Sequence, residues 1–179
     1  KDGKSNKLYV VQARPETVQS QKQRHTLEEY QLKEKGEVIT TGKSVGSKIA
    51  NGKAAVIKNV KEIEKFKPGQ ILVTEMTDPD WVPIMRQAAA IVTDKGGRTC
   101  HAAIVSRELG IPCIVGTTEA TNKIKNKQPI TTDCSQGDEG LIYKGELKYD
   151  IKKTNIKNFP ETKTKIMMNI GSPNEAFEL

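Results

Sequence analysis

The segment Thr93–Leu109, TDKGGRTCHAAIVSREL, limits the possible folds more tightly than any other stretch of the chain. The run before it, AAIVTD at 89–94, is apolar and of strand length. The glycines Gly96 and Gly97 then permit positive φ and close backbone approach. A helical pattern follows from about Thr99 to Leu109, stopped by Gly110 and Pro112. The segment therefore predicts a strand, a tight Gly-Gly turn and a helix, with His101 in the first helical turn.

The surrounding sequence supplies the rest of an α/β domain. EVITTGKSVGSKIANGKAAVIKN carries strand signals and an Asn51-Gly52 pair that predicts a turn. VKEIEKFKPG predicts a short helical turn closed by Pro68-Gly69. QILVTEM, 70–76, predicts a strand, and TDPDWVPIMRQA predicts a helix start capped by Thr77 or Asp78 with Trp81 as a packing anchor. PCIVGT predicts another strand, EATNKIKN a short helix, and QPITTDCSQGDEGLIYKGEL two strands joined by a polar turn. LYVVQ, 8–12, predicts a further buried strand. SQKQRHTLEEYQLKEK, 20–35, predicts a linker or an exposed helical connector, in which His25 is a solvated side chain. No internal repeat is present.

The 179 residues suit one domain with flanking pieces, and the missing initiator Met suggests a piece of a longer chain. Hydrophobic residues make up 35% and mean hydropathy is −0.58, as expected for a soluble, cytoplasmic domain. No apolar run approaches the roughly 20 residues needed to span a bilayer, and the N-terminal stretch lacks the core of a signal peptide. Cys100, Cys113 and Cys134 form no CxxC pair, which points to reduced thiols, the latter two inert and buried. The net charge of +7 permits contact with polyanions, but the lysines are scattered and aromatics are only 4%, so a nucleic-acid partner is not expected.

His101 carries the chemistry. The N-terminus of a helix has unpaired N–H groups and a positive dipole end, and so attracts phosphate. A free imidazole is mostly neutral near pH 7 and is a nucleophile. Attack on a phosphoryl group would place new negative charge where the helix stabilises it. Gly96, Gly97, Arg98 and Thr99 are the phosphate-positioning candidates, Arg98 as a planar cation and Thr99 through its hydroxyl or N–H. A metal site is disfavoured because one His supplies too few ligands. Cys100 and His101, about 100° apart on a helix, would rarely hydrogen-bond to each other. An alternative from another class is a basic module that docks the phosphates of a nucleotide or nucleic acid without covalent chemistry.

The string GGRTCHAAIVSRELGIPCIVGT, 96–117, resembles the phosphohistidine signature of the phosphoenolpyruvate-utilising enzymes through Gly97, Thr99, His101, Ala102, Ala103, Ile104, Val105, Ser106 and Arg107. LYVVQARPETV resembles the last strand of an ATP-grasp nucleotide-binding domain, and TKIMMNIGSPNEAFEL the first strand and turn of a phosphoenolpyruvate-binding barrel. The resemblance covers nearly the whole chain and implies an α/β fold, a swivelling β/β/α phosphohistidine domain. The implied map is 1–18 for the end of the ATP-grasp domain, 19–35 linker, 36–150 swivelling domain, 151–161 linker and 162–179 for the start of the barrel. It further implies that His101 is phosphorylated from ATP with Mg²⁺ held by domains outside this chain, and passes the group to pyruvate. Thr99 is the implied regulatory phosphorylation site. The flanks and the Cys before the His fit best the member that uses pyruvate and water as paired acceptors. Pyruvate phosphate dikinase and the sugar-transport enzyme I share the His motif but fit the flanks less well. Alone, the chain is expected to carry phosphate without turnover.

Overall fold

The computed structural model describes residues 26–155. Seven strands close into a barrel: β2 (Val38–Val45), β3 (Ile49–Val56), β4 (Ile71–Thr74), β5 (Ala90–Thr93), β6 (Cys113–Val115), β7 (Pro129–Asp133) and β8 (Glu139–Lys144). Their order around the barrel is β2-β6-β5-β4-β3-β7-β8, with β8 pairing back onto β2. The β3–β4–β5–β6 arc is parallel and the remaining pairings are antiparallel. The helices are α1 (Val82–Met85), α2 (His101–Leu109) and α3 (Ala120–Lys123), with 3-10 turns at Val60–Lys65 and Pro79–Trp81.

Parallel strands with both faces covered should be apolar throughout rather than alternating, and β4, β5 and β6 are. Ile71, Val73, Ala90, Val92 and Ile114 join Ile130 and Ile142 inside the barrel. Their neighbours Leu72, Ile91, Cys113 and Val115 join Trp81, Ile84, Met85, Ala102 and Ala103 in a second layer beneath α1 and α2. Each fully buried aliphatic side chain is worth about 1.5–3 kcal/mol, so the two layers together fix the parallel arc. Gly42 lets β2 approach: a Cβ there would lie 2.7 Å from the Val115 carbonyl oxygen.

The strands, short helices and turns expected between 36 and 150 are largely present, with two differences there and a third at 26–32. Asn51-Gly52 is not a turn but lies inside β3, opposite Thr131 and Ile130. The Asn51 amide donates to the Leu147 carbonyl at 2.8 Å, and a Cβ on Gly52 would come within 3.0 Å of the Gly69 oxygen. Backbone proximity, not turn geometry, places that glycine, and the turn falls at Gly46, φ +87°. Helix α2 begins at His101 rather than Thr99, because Cys100 is still extended. Third, residues 26–32 are neither helical nor coiled. They form β1 (Thr26–Leu32), which pairs antiparallel with β9 (Tyr149–Asn155) from Thr26↔Asn155 to Leu32↔Tyr149. Cross-strand ion pairs flank this ribbon, Glu28 to Lys153 at 3.1 Å and Glu29 to Lys152 at 3.9 Å, with the Tyr30 and Tyr149 rings 5.9 Å apart. Its partner strand lies more than a hundred residues away, so local pattern could not reveal it. The strand expected at 8–12, His25 and the segment 162–179 lie outside the described residues.

Burial pushes the Tyr30 phenol up from 10.0 to about 12, helped by the Glu28 carboxylate that accepts its hydroxyl proton at 3.2 Å. The folded ribbon thus favours the neutral phenol. Its contribution to stability is complete below the unfolded value of 10.0 and is lost as pH rises toward about 12. Burial and the nearby Asp133 also raise the Tyr143 phenol, so absorbance titration should show Tyr30 ionising last, and Tyr30→Phe should remove that final phase while leaving the Tyr143 contribution. A Tyr30 that ionises together with the free amino acid would contradict the burial of this face.

Candidate functional site

The parallel strands β4, β5 and β6 deliver their C-terminal ends to one end of the sheet, where open α/β sheets gather binding groups. After β5 the chain passes Asp94 and turns at Gly96, φ +105°, where a Cβ would meet the Cys100 Sγ at 2.8 Å. Only glycine fits both demands. Gly97 has no such constraint: its φ is not positive, and a Cβ would meet open space. The Cys100 N–H donates to the Gly97 carbonyl at 3.0 Å, closing the turn.

Helix α2 follows with Ala102, Ala103 and Ser106 buried against the sheet. It ends at Gly110, φ 63°, where the N–H groups of Gly110 and Ile111 donate to the carbonyls of Arg107 and Ser106, the paired closure that a left-handed glycine permits. His101 is the first helical residue and is half-buried. Its Nδ1 lies 3.0 Å from the Thr77 hydroxyl oxygen, on the loop after β4. That contact occupies one ring nitrogen and leaves Nε2 for a reactant. When Nδ1 carries the proton it donates to Thr77, and Nε2 keeps its lone pair.

The other expected residues are distributed differently. Arg98 reaches the β7–β8 turn, where its Nη2 donates to the Asp138 carboxylate at 2.6 Å and to the Asp138 carbonyl at 3.1 Å. The Asp138 side chain is 93% exposed, so the pair is worth only about 0–1 kcal/mol and is readily exchanged. Arg98 Nε is buried without a partner among the described residues. Thr99 is exposed. Thr77 was expected only as a helix cap. Asp78 takes that task, accepting from the Asp80 N–H at 2.9 Å, and this frees Thr77 to turn toward the imidazole. Asp94 and Gly116 also support the loop and were not expected to. Their signal was position alone, at the ends of two apolar strands of a parallel sheet.

Among the described residues no three His, Cys, Asp or Glu side chains gather to hold a metal ion. No described helix is long and apolar enough to cross a membrane. Lys53, Lys65, Lys67 and Lys127 line a cleft of about 460 Å³ that includes none of the residues 96–101.

The match to known proteins decides the family. Residues 66–137 match the model of the "PEP-utilising enzyme, mobile domain". The chain is 55% identical to the phosphoenolpyruvate synthase of Synechocystis over 99% of its own length and 22% of that protein. It is 54% identical to the phosphoenolpyruvate synthase of Aquifex aeolicus over 99% of its length and 21% of that protein. The chain carries a mobile domain of the phosphoenolpyruvate-utilising enzymes. It spans about a fifth of the length of these relatives. An NMR solution structure of Enzyme I is a weaker likeness, at 25% identity and a TM-score of 0.38 over 44% of this chain and 33% of that one.

The cysteines of this mobile domain differ in reactivity. Cys113 and Cys134 are buried, and burial pushes both thiols up. Cys100, at the helix start, is partly exposed. A thiol reagent added to the native chain should modify Cys100 alone, the other two reacting only in denaturant. Modification of Cys113 before Cys100 would contradict the packing beneath α2.

Proposed function

We propose that this chain is the phosphoryl-carrier domain of an enzyme of the phosphoenolpyruvate synthase type, with His101 as the nucleophile. The reading rests on one observation above all: a histidine at the start of α2 whose Nδ1 is engaged by Thr77 while no described residue engages Nε2. The relatives that match 99% of the chain, and bear the name phosphoenolpyruvate synthase, support it.

His101 Nε2 attacks the β-phosphorus of ATP and releases AMP. Water then removes the terminal phosphoryl as orthophosphate, leaving one phosphoryl on Nε2, and pyruvate enolate takes that group to give phosphoenolpyruvate. The sum is ATP + pyruvate + water → AMP + phosphoenolpyruvate + phosphate. The helix start stabilises the anion on the ring by about 0.3–1 kcal/mol at an exposed site. Thr77 holds Nδ1 so that the ring does not rotate away. Mg²⁺, held outside this domain, would screen the ATP phosphates. Gly96, Gly97, Arg98 and Thr99 are the candidates that frame the phosphoryl group, Arg98 by leaving Asp138 for a stronger anion.

The ATP-grasp and barrel domains of a longer cytoplasmic chain are the proposed partners. The proposed map keeps 36–150 as the swivelling unit between linkers at 19–35 and 151–161, with 1–18 and 162–179 belonging to the neighbours. The β1–β9 ribbon lies where both connections leave the barrel. Pyruvate phosphate dikinase and enzyme I remain the alternatives, and they differ in the second acceptor.

In the full-length enzyme, ATP and pyruvate should yield orthophosphate, and His101→Asn should abolish turnover while leaving the fold intact. Formation of pyrophosphate in a phosphate-dependent reaction would move the assignment to the dikinase. Turnover by His101→Asn would overturn the role of His101. Thr99 is the proposed regulatory site, since a phosphate there would repel the donor. Thr99→Ser should retain activity and Thr99→Glu should lose it. Wild-type phosphorylation of His101 in Thr99→Glu would refute the regulatory role.

A further inference from the structure

Asp94 takes no part in the transfer proposed above, yet the C-terminal ends of β4, β5 and β6 meet at it. Its N–H donates to the Thr74 carbonyl at the end of β4, at 3.1 Å, and its carbonyl accepts from the Thr118 N–H at 3.0 Å. Its side chain is buried. One carboxylate oxygen accepts from the Thr117 hydroxyl at 3.0 Å and from the Thr121 N–H at 3.2 Å. The other accepts from the Thr121 hydroxyl at 2.5 Å. Hydroxyls and a backbone N–H satisfy this carboxylate, with no ion pair to a described residue. A buried carboxylate met only by neutral donors is costly to keep, and an apolar residue would pack there more cheaply.

The segment it holds is itself under constraint. Thr118 has φ 66°, a left-handed conformation that non-glycine residues rarely adopt. Gly116 has φ 71°, and a Cβ there would lie 2.9 Å from the Gly96 carbonyl oxygen. A Cβ on Gly96 would in turn lie 2.8 Å from the Sγ of Cys100, the residue before His101. The backbone is therefore closely approached at both glycines between the Asp94 carboxylate, which Thr117 meets, and the start of the helix at His101. On the other side, the Lys95 N–H donates to the Glu75 carbonyl at 2.9 Å and ties the β5 loop to the loop that carries Thr77.

We propose that Asp94 is a positioning residue for phosphoryl acceptance: its buried carboxylate locks residues 116–121 against Gly96 and so holds the His101 ring with Nδ1 on Thr77. The proposal rests on the reading of His101 as the acceptor. It differs from a purely structural role in what it fixes, namely which imidazole nitrogen is free.

The test uses the 179-residue chain with ¹⁵N-labelled histidine in a His25→Asn background, so that a single imidazole is observed. Ring ¹⁵N shifts give the tautomer before reaction. Phosphoramidate, a small phosphoryl donor that needs no second domain, then gives the site and rate of phosphorylation. The parent should show one tautomer, protonated on Nδ1, and a product on Nε2 alone. Asp94→Asn should mix the tautomers and slow Nε2 labelling by about tenfold or more, as expected when a reacting group is misplaced. Thr121→Val should do the same more weakly, and it carries the test if Asp94→Asn does not fold. Ile130→Val, inside the barrel and away from the loop, should lower stability without moving the ring signals. Parent-like tautomer and labelling in Asp94→Asn, or in Thr121→Val where that variant carries the test, would overturn the proposal, as would an Ile130→Val that reproduces the Asp94 effect. Should the parent fail to label at His101, the reading of that residue falls, while the tautomer comparison still decides the role of Asp94.

Discussion

Burial of β4, β5 and β6 on both faces is the constraint on which the rest of the structure depends. Ile71, Val73, Ala90, Val92 and Ile114 fill the barrel while Leu72, Ile91, Cys113 and Val115 lie under α1 and α2. Strands fixed in this way must send their following loops to the same end. Thr77, the Asp94–Gly96 turn and Gly116 consequently meet there although these three segments are separated in sequence, and α2 starts among them with His101. The histidine is placed by the sheet more than by its own helix, whose nine residues would be marginal alone.

The site combines a rigid floor with loosely held rim groups. Below the imidazole, glycine contacts and the Asp94 hydrogen bonds leave little room for movement. At the rim, Arg98 is paired to a carboxylate that is 93% exposed, and Thr99 faces solvent. This division suits a carrier, which must present one ring nitrogen reproducibly and still exchange its surroundings between donor and acceptor. The β1–β9 ribbon adds a further element, since its cross-strand ion pairs lie at the surface and are weak.

Much of this was legible in the sequence because its physical cause is local. Apolar runs marked the barrel strands, Gly110 marked the end of α2, and Thr77 or Asp78 followed by Pro79 marked the start of the turn before α1, where the structure chooses Asp78. The histidine stood out because it follows Gly96-Gly97 at the start of a helical pattern. What stayed hidden depends on residues distant in sequence. The ribbon pairs strands from the two ends of the described region. Asn51-Gly52 has the composition of a turn, but Gly52 is there to let the Gly69 carbonyl approach. Thr77, Thr117 and Thr121 are ordinary loop residues until the sheet brings them to His101 and Asp94.

The central claim is that a phosphoryl group resides on one nitrogen of one histidine. It is tested most directly by incubating the full-length enzyme with ATP labelled on its β-phosphate and mapping the label by mass spectrometry and ³¹P–¹⁵N correlation under alkaline conditions. The account predicts acid-labile, base-stable label on His101 Nε2, present in His25→Asn and absent from His101→Asn. Label on any other residue, or label that persists in His101→Asn, would contradict it.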